Sequence, residues 1–111
     1  MNIGGNITAI IQTSTVQKNA IGETVQTWQD AQTIRGWLDL ASGDSRYNSY
    51  LSKVQESTHI FICDFVPLAE GIQAETSRMT INGKNYDIML IDNPMEMNEQ
   101  LEIYLKHTGG Q

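Results

Sequence analysis

The sequence predicts an all-β fold: a small antiparallel β-barrel of six or seven strands, with an inserted loop or short helix at about residues 41–57. Stretches rich in β-branched residues alternate apolar and polar side chains, which is typical of half-buried strands. Turn signals separate these stretches at intervals of about ten residues, the spacing found in small barrels and sandwiches. The 111 residues suffice for one core, so we expect a single domain spanning residues 1–111.

The first half of the chain predicts three strands, at residues 6–17, 23–28 and 32–40, after a flexible leader at residues 1–5. Residues 18–22 form the first predicted turn, in which Gly22 can take a positive φ angle. Residues 29–31 form the second predicted turn. In the third strand, alternation places four residues on one face: Ile34, Gly36, Leu38 and Leu40.

The insert begins where Ser42 and Gly43 break the third strand and the hydrophobic period changes. Four residues recur at the spacing of one helical face: Tyr47, Tyr50, Leu51 and Val54. This stripe has two interpretations, since it could cover an open end of the barrel or dock on another subunit. Aromatic residues and Arg are enriched in interface cores, and the polar flanks of the insert suit movement, which favours docking.

The second half of the chain predicts three or four more short strands. Residues 58–66 are apolar on both faces, as expected for a central strand, and Pro67 ends it. Asn82 and Gly83 separate residues 78–81 from 84–91, and this pair favours a type I′ hairpin turn. Residues 101–106 alternate as a last strand, before a flexible tail at residues 107–111.

The chain offers no pattern that predicts an active site, a metal site or a cofactor site. Cys63 is flanked by apolar residues and Asp64, which predicts a small buried hydrophobe rather than a nucleophile. His59 and His107 have no carboxylate or thiol at ligand spacing. The carboxylates have no context that would desolvate them for acid–base catalysis. We therefore expect a protein that is not an enzyme.

The charge balance disfavours tight binding to nucleic acid. Thirteen acidic against seven basic residues give a net charge of −6, and the bases are scattered singly along the chain. No apolar run approaches the ~18 residues of a membrane span, and the N-terminal residues lack the pattern of a signal peptide. The single cysteine fits a reducing compartment, so we expect synthesis in the cytosol.

Several sequence blocks follow one another in the order and spacing of a known family. They read GETVQTW at 22–28, RGWLDL at 35–40, SGDSRY at 42–47, THIFI at 58–62, RMTINGKNYDIMLI at 78–91 and LEIYL at 101–105. Together they cover roughly residues 8–106 and resemble the small head-closure, or head–tail adaptor, proteins of tailed bacteriophages and prophages. No single block is diagnostic, and the resemblance rests on their order, their spacing and the total length.

The resemblance implies a virion structural protein built on a small β-barrel, with an extended loop between the third and fourth strands. It implies a ring, usually of twelve copies, between a portal-adaptor protein above and a tail-completion protein below. The ring joins capsid to tail, and in some members the inserted loops close the DNA channel. The protein would then occupy the virion, after assembly in the host cytoplasm.

Within the insert, five residues are our candidates for contacts with neighbouring subunits or partners: Asp44, Arg46, Tyr47, Tyr50 and Lys53. The chain departs from the family pattern at residues 63–65, where Cys-Asp-Phe replaces a basic–aromatic pair. A ring of subunits each carrying −6 would be strongly acidic, and an acidic lumen lets duplex DNA pass without specific binding.

Two alternatives remain at this point. One is a small β-barrel binding module for an oligosaccharide or single-stranded nucleic acid, which needs exposed aromatic residues on one face. Trp28 and Trp37 are its only candidates, and burial of both would remove its support. The other is a tail-completion protein of the same assembly.

Overall fold

Six antiparallel strands close into a barrel in the computed structural model, which describes residues 4–40 and 57–107. In chain order they are β1 Ile7–Lys18, β2 Thr24–Leu40, β3 His59–Asp64, β4 Ser77–Ile81, β5 Lys84–Asp92 and β6 Gln100–His107. Around the barrel their order is β1-β2-β3-β6-β5-β4, and β4 pairs back to β1 to close the ring. The predicted all-β barrel is confirmed, with six strands.

The second and third predicted strands are one continuous strand, so the turn predicted at residues 29–31 is wrong. Gln32 lies opposite Ile11 whereas Asp30 lies opposite Gln12, which leaves Ala31 as an extra residue in β2. This is a β-bulge, which shifts the alternation of side chains by one residue without ending the strand. Gln29 and Asp30 are polar and the alternation shifts beside them, so the sequence pattern here resembles that of a turn.

The core fills the barrel with side chains from alternate positions of every strand. The largest fully buried side chains are those of Phe61, Ile11, Met79, Ile81, Ile88, Ile103, Leu105 and Cys63. On β2, Ile34 and Gly36 are buried and Leu38 packs against the core, as the predicted apolar face requires. Leu40 continues that face but is exposed, because it lies where the strand leaves the barrel.

The hairpin between β4 and β5 turns through Asn82 and Gly83, as predicted. Both residues have positive φ angles, 52° and 80°, which is the signature of a type I′ turn. Pro94–Glu96 forms a short 3₁₀ turn between β5 and β6. Within residues 4–40 and 57–107, no helix has the length and apolar character needed to cross a membrane.

The antiparallel order gives the barrel two distinct ends. At one end β1, β3 and β5 finish, and we call it the arm end because the β1–β2 hairpin projects there. The segments 65–76 and 93–99 lie at the same end. At the other end, β2 finishes at Leu40 and β3 begins at His59. We call it the insert end, because the segment between these strands starts and finishes there.

Candidate assembly surfaces

The described residues contain no group of three or more His, Cys, Asp or Glu side chains that could hold a metal ion. Cys63 is 2% exposed, and burial, followed by the neighbouring Asp64 carboxylate, raises the pKa of its thiol to about 11. A thiol in this state is protonated at neutral pH and therefore a poor nucleophile. The prediction that Cys63 is a small buried hydrophobe is confirmed.

The two histidines, 48 positions apart in the sequence, meet at the insert end of the barrel. The His59 and His107 rings are 6.4 Å apart, and each lies 5.1 Å from the buried ring of Tyr86. Thr58 links them, since its hydroxyl lies 2.8 Å from His59 Nδ1 and accepts a hydrogen bond from the His107 backbone N–H. Burial, then the charges of His107 and Lys84, lower the pKa of His59. The three rings form the last inward-facing layer at the insert end of the barrel.

The insert leaves the barrel beside this layer. Leu40 pairs with His59, Ser57 is buried, and the Thr58 backbone N–H donates to the Leu105 carbonyl at 2.8 Å. The barrel therefore fixes both ends of the insert a short distance apart. The five predicted contact residues lie outside the described residues: Asp44, Arg46, Tyr47, Tyr50 and Lys53. Their predicted contacts therefore stay predictions.

At the opposite end, β1 and β2 extend beyond the barrel as a two-stranded ribbon. β4 pairs with β1 only from Ile10 to Thr13, and β3 pairs with β2 only from Trp37 to Leu40. In the part of the chain that the structure describes, residues 14–18 and 24–28 thus pair with each other alone. We call residues 14–28 the arm. Alternation along the sequence does not predict the arm, because its projection depends on where the neighbouring strands β4 and β3 end.

The arm is internally ordered despite its lack of a third strand. The Asn19 side chain accepts hydrogen bonds from the backbone N–H groups of Ile21 and Glu23 at 3.1 and 2.9 Å, which closes the turn at the tip. The Thr15 and Thr27 hydroxyls lie 2.8 Å apart across one face. Three large apolar side chains are nevertheless exposed on the arm: Val16 at 63%, Ile21 at 77% and Val25 at 39%.

The two tryptophans lie on the outside of β2 at separate places. The Arg78 guanidinium stacks on Trp28 at 4.2 Å from the ring centre, and its Nε donates to Gln12 at 2.7 Å. Trp37 is 44% exposed near the other end of the strand. Nine residues of strand separate them by about 30 Å, so the two rings cannot contact one small ligand. Trp28 is half-buried, so the condition that would remove the binding-module alternative is not met.

A shallow cleft of about 430 Å³ lies at the base of the arm. Its lining combines Trp28 with two carboxylates and six further residues: Glu75, Asp87, Ser14, Gln26, Thr76, Ser77, Ile88 and Met89. Carboxylates repel the phosphates of a nucleic acid strand. The cleft is therefore a poor site for single-stranded nucleic acid.

The arm end of the barrel is also acidic. Segments 64–76 and 92–102 contain seven acidic residues and no basic residue: Asp64, Glu70, Glu75, Asp92, Glu96, Glu99 and Glu102. The two segments lie side by side, since the Phe65 backbone N–H donates to the Glu99 carbonyl at 3.1 Å. Met95 and Met97 are exposed in the second segment. This end carries a negative field that repels phosphates.

Comparison with known proteins gives one family match and several structural matches. Residues 6–107 match the family model described as phage head completion protein. Protein SF1141 from Shigella flexneri 2a has a similar solution structure, with a TM-score of 0.65, 21% identity and 100% coverage of both chains. A chain in the virion of a native gene transfer agent particle is similar with a TM-score of 0.58 and 12% identity, over 90% of this chain and 91% of that chain. At these identities both likenesses show the fold. No curated protein matches the chain.

Proposed function

The chain belongs to the phage head completion protein family, and we propose from this that it is a structural protein of the head–tail connector in a phage or prophage virion. The observation that carries the proposal is the family match over residues 6–107, which contains all six strands of the barrel. In this role the protein joins the capsid portal and its adaptor to the tail and helps to close the DNA channel.

The proposed working form is a ring of identical copies, twelve in number. Its neighbours would be a portal-adaptor protein above and a tail-completion protein below. A ring uses heterologous contacts, in which one surface of a copy meets a different surface of the next and the rotation closes. The gene transfer agent virion, which contains a chain of similar fold, supports placing this fold in a virion.

The insert is the segment that we propose for contacts with a neighbouring subunit or for closure of the channel. Leu40 and Ser57, the described residues on either side of it, both lie at the insert end of the barrel. Aromatic residues and Arg are enriched in interface cores, and five residues of the insert are the proposed contacts: Asp44, Arg46, Tyr47, Tyr50 and Lys53.

Double-stranded DNA would pass through the proposed ring without specific binding. The net charge of −6 per copy supports this, because the acids at the arm end repel phosphates and the bases do not form a continuous patch in the sequence. Assembly would take place in the host cytoplasm, before the finished virion is released.

The test is removal of the gene from a phage or induced prophage that carries it, followed by electron microscopy of the particles. We expect DNA-filled or leaking heads without tails, and restoration of tailed particles when the gene is supplied from a plasmid. Mass spectrometry of purified complemented virions should detect the chain. Tailed, infectious particles without the protein would contradict the proposal.

A further inference from the structure

The arm, residues 14–28, carries large apolar side chains that are exposed in the isolated chain. Val16 shares one face with Gln26, Val25 shares the opposite face with Gln17, and Ile21 lies at the tip. Apolar side chains on both faces and at the tip of a projecting ribbon indicate a segment that inserts into a partner. A ribbon laid flat on a partner would need apolar groups on one face only.

A two-stranded ribbon is marginally stable in water when nothing packs against it. This arm is nevertheless pre-ordered by the hydrogen bonds of Asn19 at its turn and by the Thr15–Thr27 contact. Residues 14–18 and 24–28 pair with each other, and among the described residues no third strand pairs with the outer edge of either. Because the arm is already ordered before it docks, docking has a lower entropic cost than it would for a segment that must fold on its partner.

The charge distribution of the chain indicates which partner fits. The arm contains one base, Lys18, and one acid, Glu23, so its net charge is zero. The rest of the chain has twelve acids and six bases and therefore carries the whole net charge of −6. Two copies meeting through their acidic surfaces would repel each other, whereas a contact through the arm brings no net charge to the interface.

The size of the arm also fits a contact between copies. A standard interface uses about 20–30 residues on each side. The arm supplies fifteen residues, which is more than half of one side of such an interface. We propose that the arm packs against a second copy of this chain and is the self-association surface of the protein. The inference rests on the proposed function, for which it names the contact between copies.

The experiment is sedimentation equilibrium of the full chain up to about 1 mM, the range that detects weak association. We expect reversible association of the wild type, and at least tenfold weaker association for Val16→Asp/Ile21→Asp. Both positions are exposed in the arm, so the monomer should stay folded, which circular dichroism and the thermal unfolding midpoint verify. Met95→Asp/Met97→Asp is the matched control, since both side chains are exposed outside the arm, at 86% and 57%, and the variant adds the same two negative charges but should associate like the wild type.

A wild-type chain that is monomeric at about 1 mM would overturn the inference, as would arm variants that associate normally. If the occupant is a different virion protein, the chain will be monomeric while Val16→Asp/Ile21→Asp still blocks head completion in the plasmid assay, which also overturns it. In either case the gene-removal experiment tests the proposed virion function separately. Failure of the arm proposal is therefore distinguishable from failure of the virion role.

Discussion

Gly36 lies where β2 passes over the ring of Phe61, and a side chain at this position has no room. A Cβ atom there would lie 2.8 Å from two Phe61 ring carbons and closer still to the Ile62 carbonyl oxygen. Phe61 is fully buried in the core, so its ring cannot move aside at low cost. A residue without a side chain is what lets β2 and β3 approach at the point where their pairing begins.

Gly36→Ala should lower the free energy of unfolding by about 1–3 kcal/mol, because it overpacks the barrel against backbone. Urea denaturation measured with the intrinsic tryptophan fluorescence gives this value. Thr33→Ala, an exposed position on the same strand, is the control and should cost under about 1 kcal/mol. Equal costs for the two variants would show that the close approach at Gly36 does not constrain the fold.

His59 makes the insert end of the barrel sensitive to pH. Burial, then the charges of His107 and Lys84, hold its pKa below the 6.5 of an unfolded chain. As the pH falls through 6.5, the unfolded chain therefore takes up the proton before the folded chain does. The contribution of the neutral His59 ring to stability is fully present above pH 6.5 and is lost as the pH falls towards the lowered pKa of His59.

We expect the free energy of unfolding to be smaller at pH 5 than at pH 7.5, with a weaker dependence in His59→Phe. Phenylalanine keeps a ring beside Tyr86 and removes the titrating group. An NMR titration of the His59 ring in the folded protein should give a midpoint below 6.5. A wild-type pH dependence in His59→Phe would assign the effect to other groups.

At the scale of elements, the β4–β5 hairpin is the feature with the most specific chemistry. Asn82 and Gly83 both take left-handed backbone angles, which ordinary residues adopt at a cost of roughly 1–2 kcal/mol each. Gly83→Ala should therefore destabilise the barrel by about that amount. Gly83→Asn should lower the free energy of unfolding by less, because asparagine tolerates this backbone conformation. Thermal unfolding of both variants checks the order, and an alanine variant as stable as the asparagine one would contradict it.

The strands were predictable wherever residues alternated without interruption. β1, β3, the β4–β5 hairpin and β6 agree with the predicted strands to within about two residues at each end. The bulge at Ala31 was not predictable by alternation, because an extra residue in one strand changes the phase in the same way as a turn does. Only the pairing with β1 shows that the strand continues, and that pairing depends on contacts distant in sequence.

The arm escaped prediction for a related reason. Val16 and Val25 alternate with Ser, Thr and Gln, which is typical of any half-buried strand. Whether such a strand lies in the barrel wall or projects from it depends on where β4 and β3 end. The sequence of the arm does not contain this information. The insert, in contrast, was predicted from a local change of period, and its anchoring at Leu40 and Ser57 agrees with that boundary.

At the scale of the whole molecule, the barrel separates two surfaces that could serve assembly. The acidic arm end carries the ribbon, whereas the insert end carries Lys84, the two histidines and the start and finish of the insert. The exposed apolar side chains of the arm are not part of the buried core between the two ends, so substitutions there leave the packing of the core in place. Variants of the arm and of the insert should therefore affect assembly without unfolding the subunit.

The insert gives the sharpest test of this separation. Removing residues 43–56 leaves residues 41, 42, 57 and 58 between Leu40 and His59, which pair directly across β2 and β3. Four residues form a common length of hairpin loop, so the shortened chain can close without strain in either strand. The hydrogen bonds from Thr58 to Leu105 and from His107 to Thr58 remain available to hold the barrel end.

We therefore expect the chain lacking residues 43–56 to fold with a cooperative thermal transition and a strand content close to that of the wild type. In the plasmid assay it should fail to restore tailed particles, because the proposed contacts at Tyr47 and Tyr50 are gone. A variant that keeps the full length but replaces both tyrosines with serine is the matched control, and it should fail in the same way. If the shortened chain is unfolded, the insert stabilises the barrel by covering its end. If it is folded and active, the insert has no part in head completion.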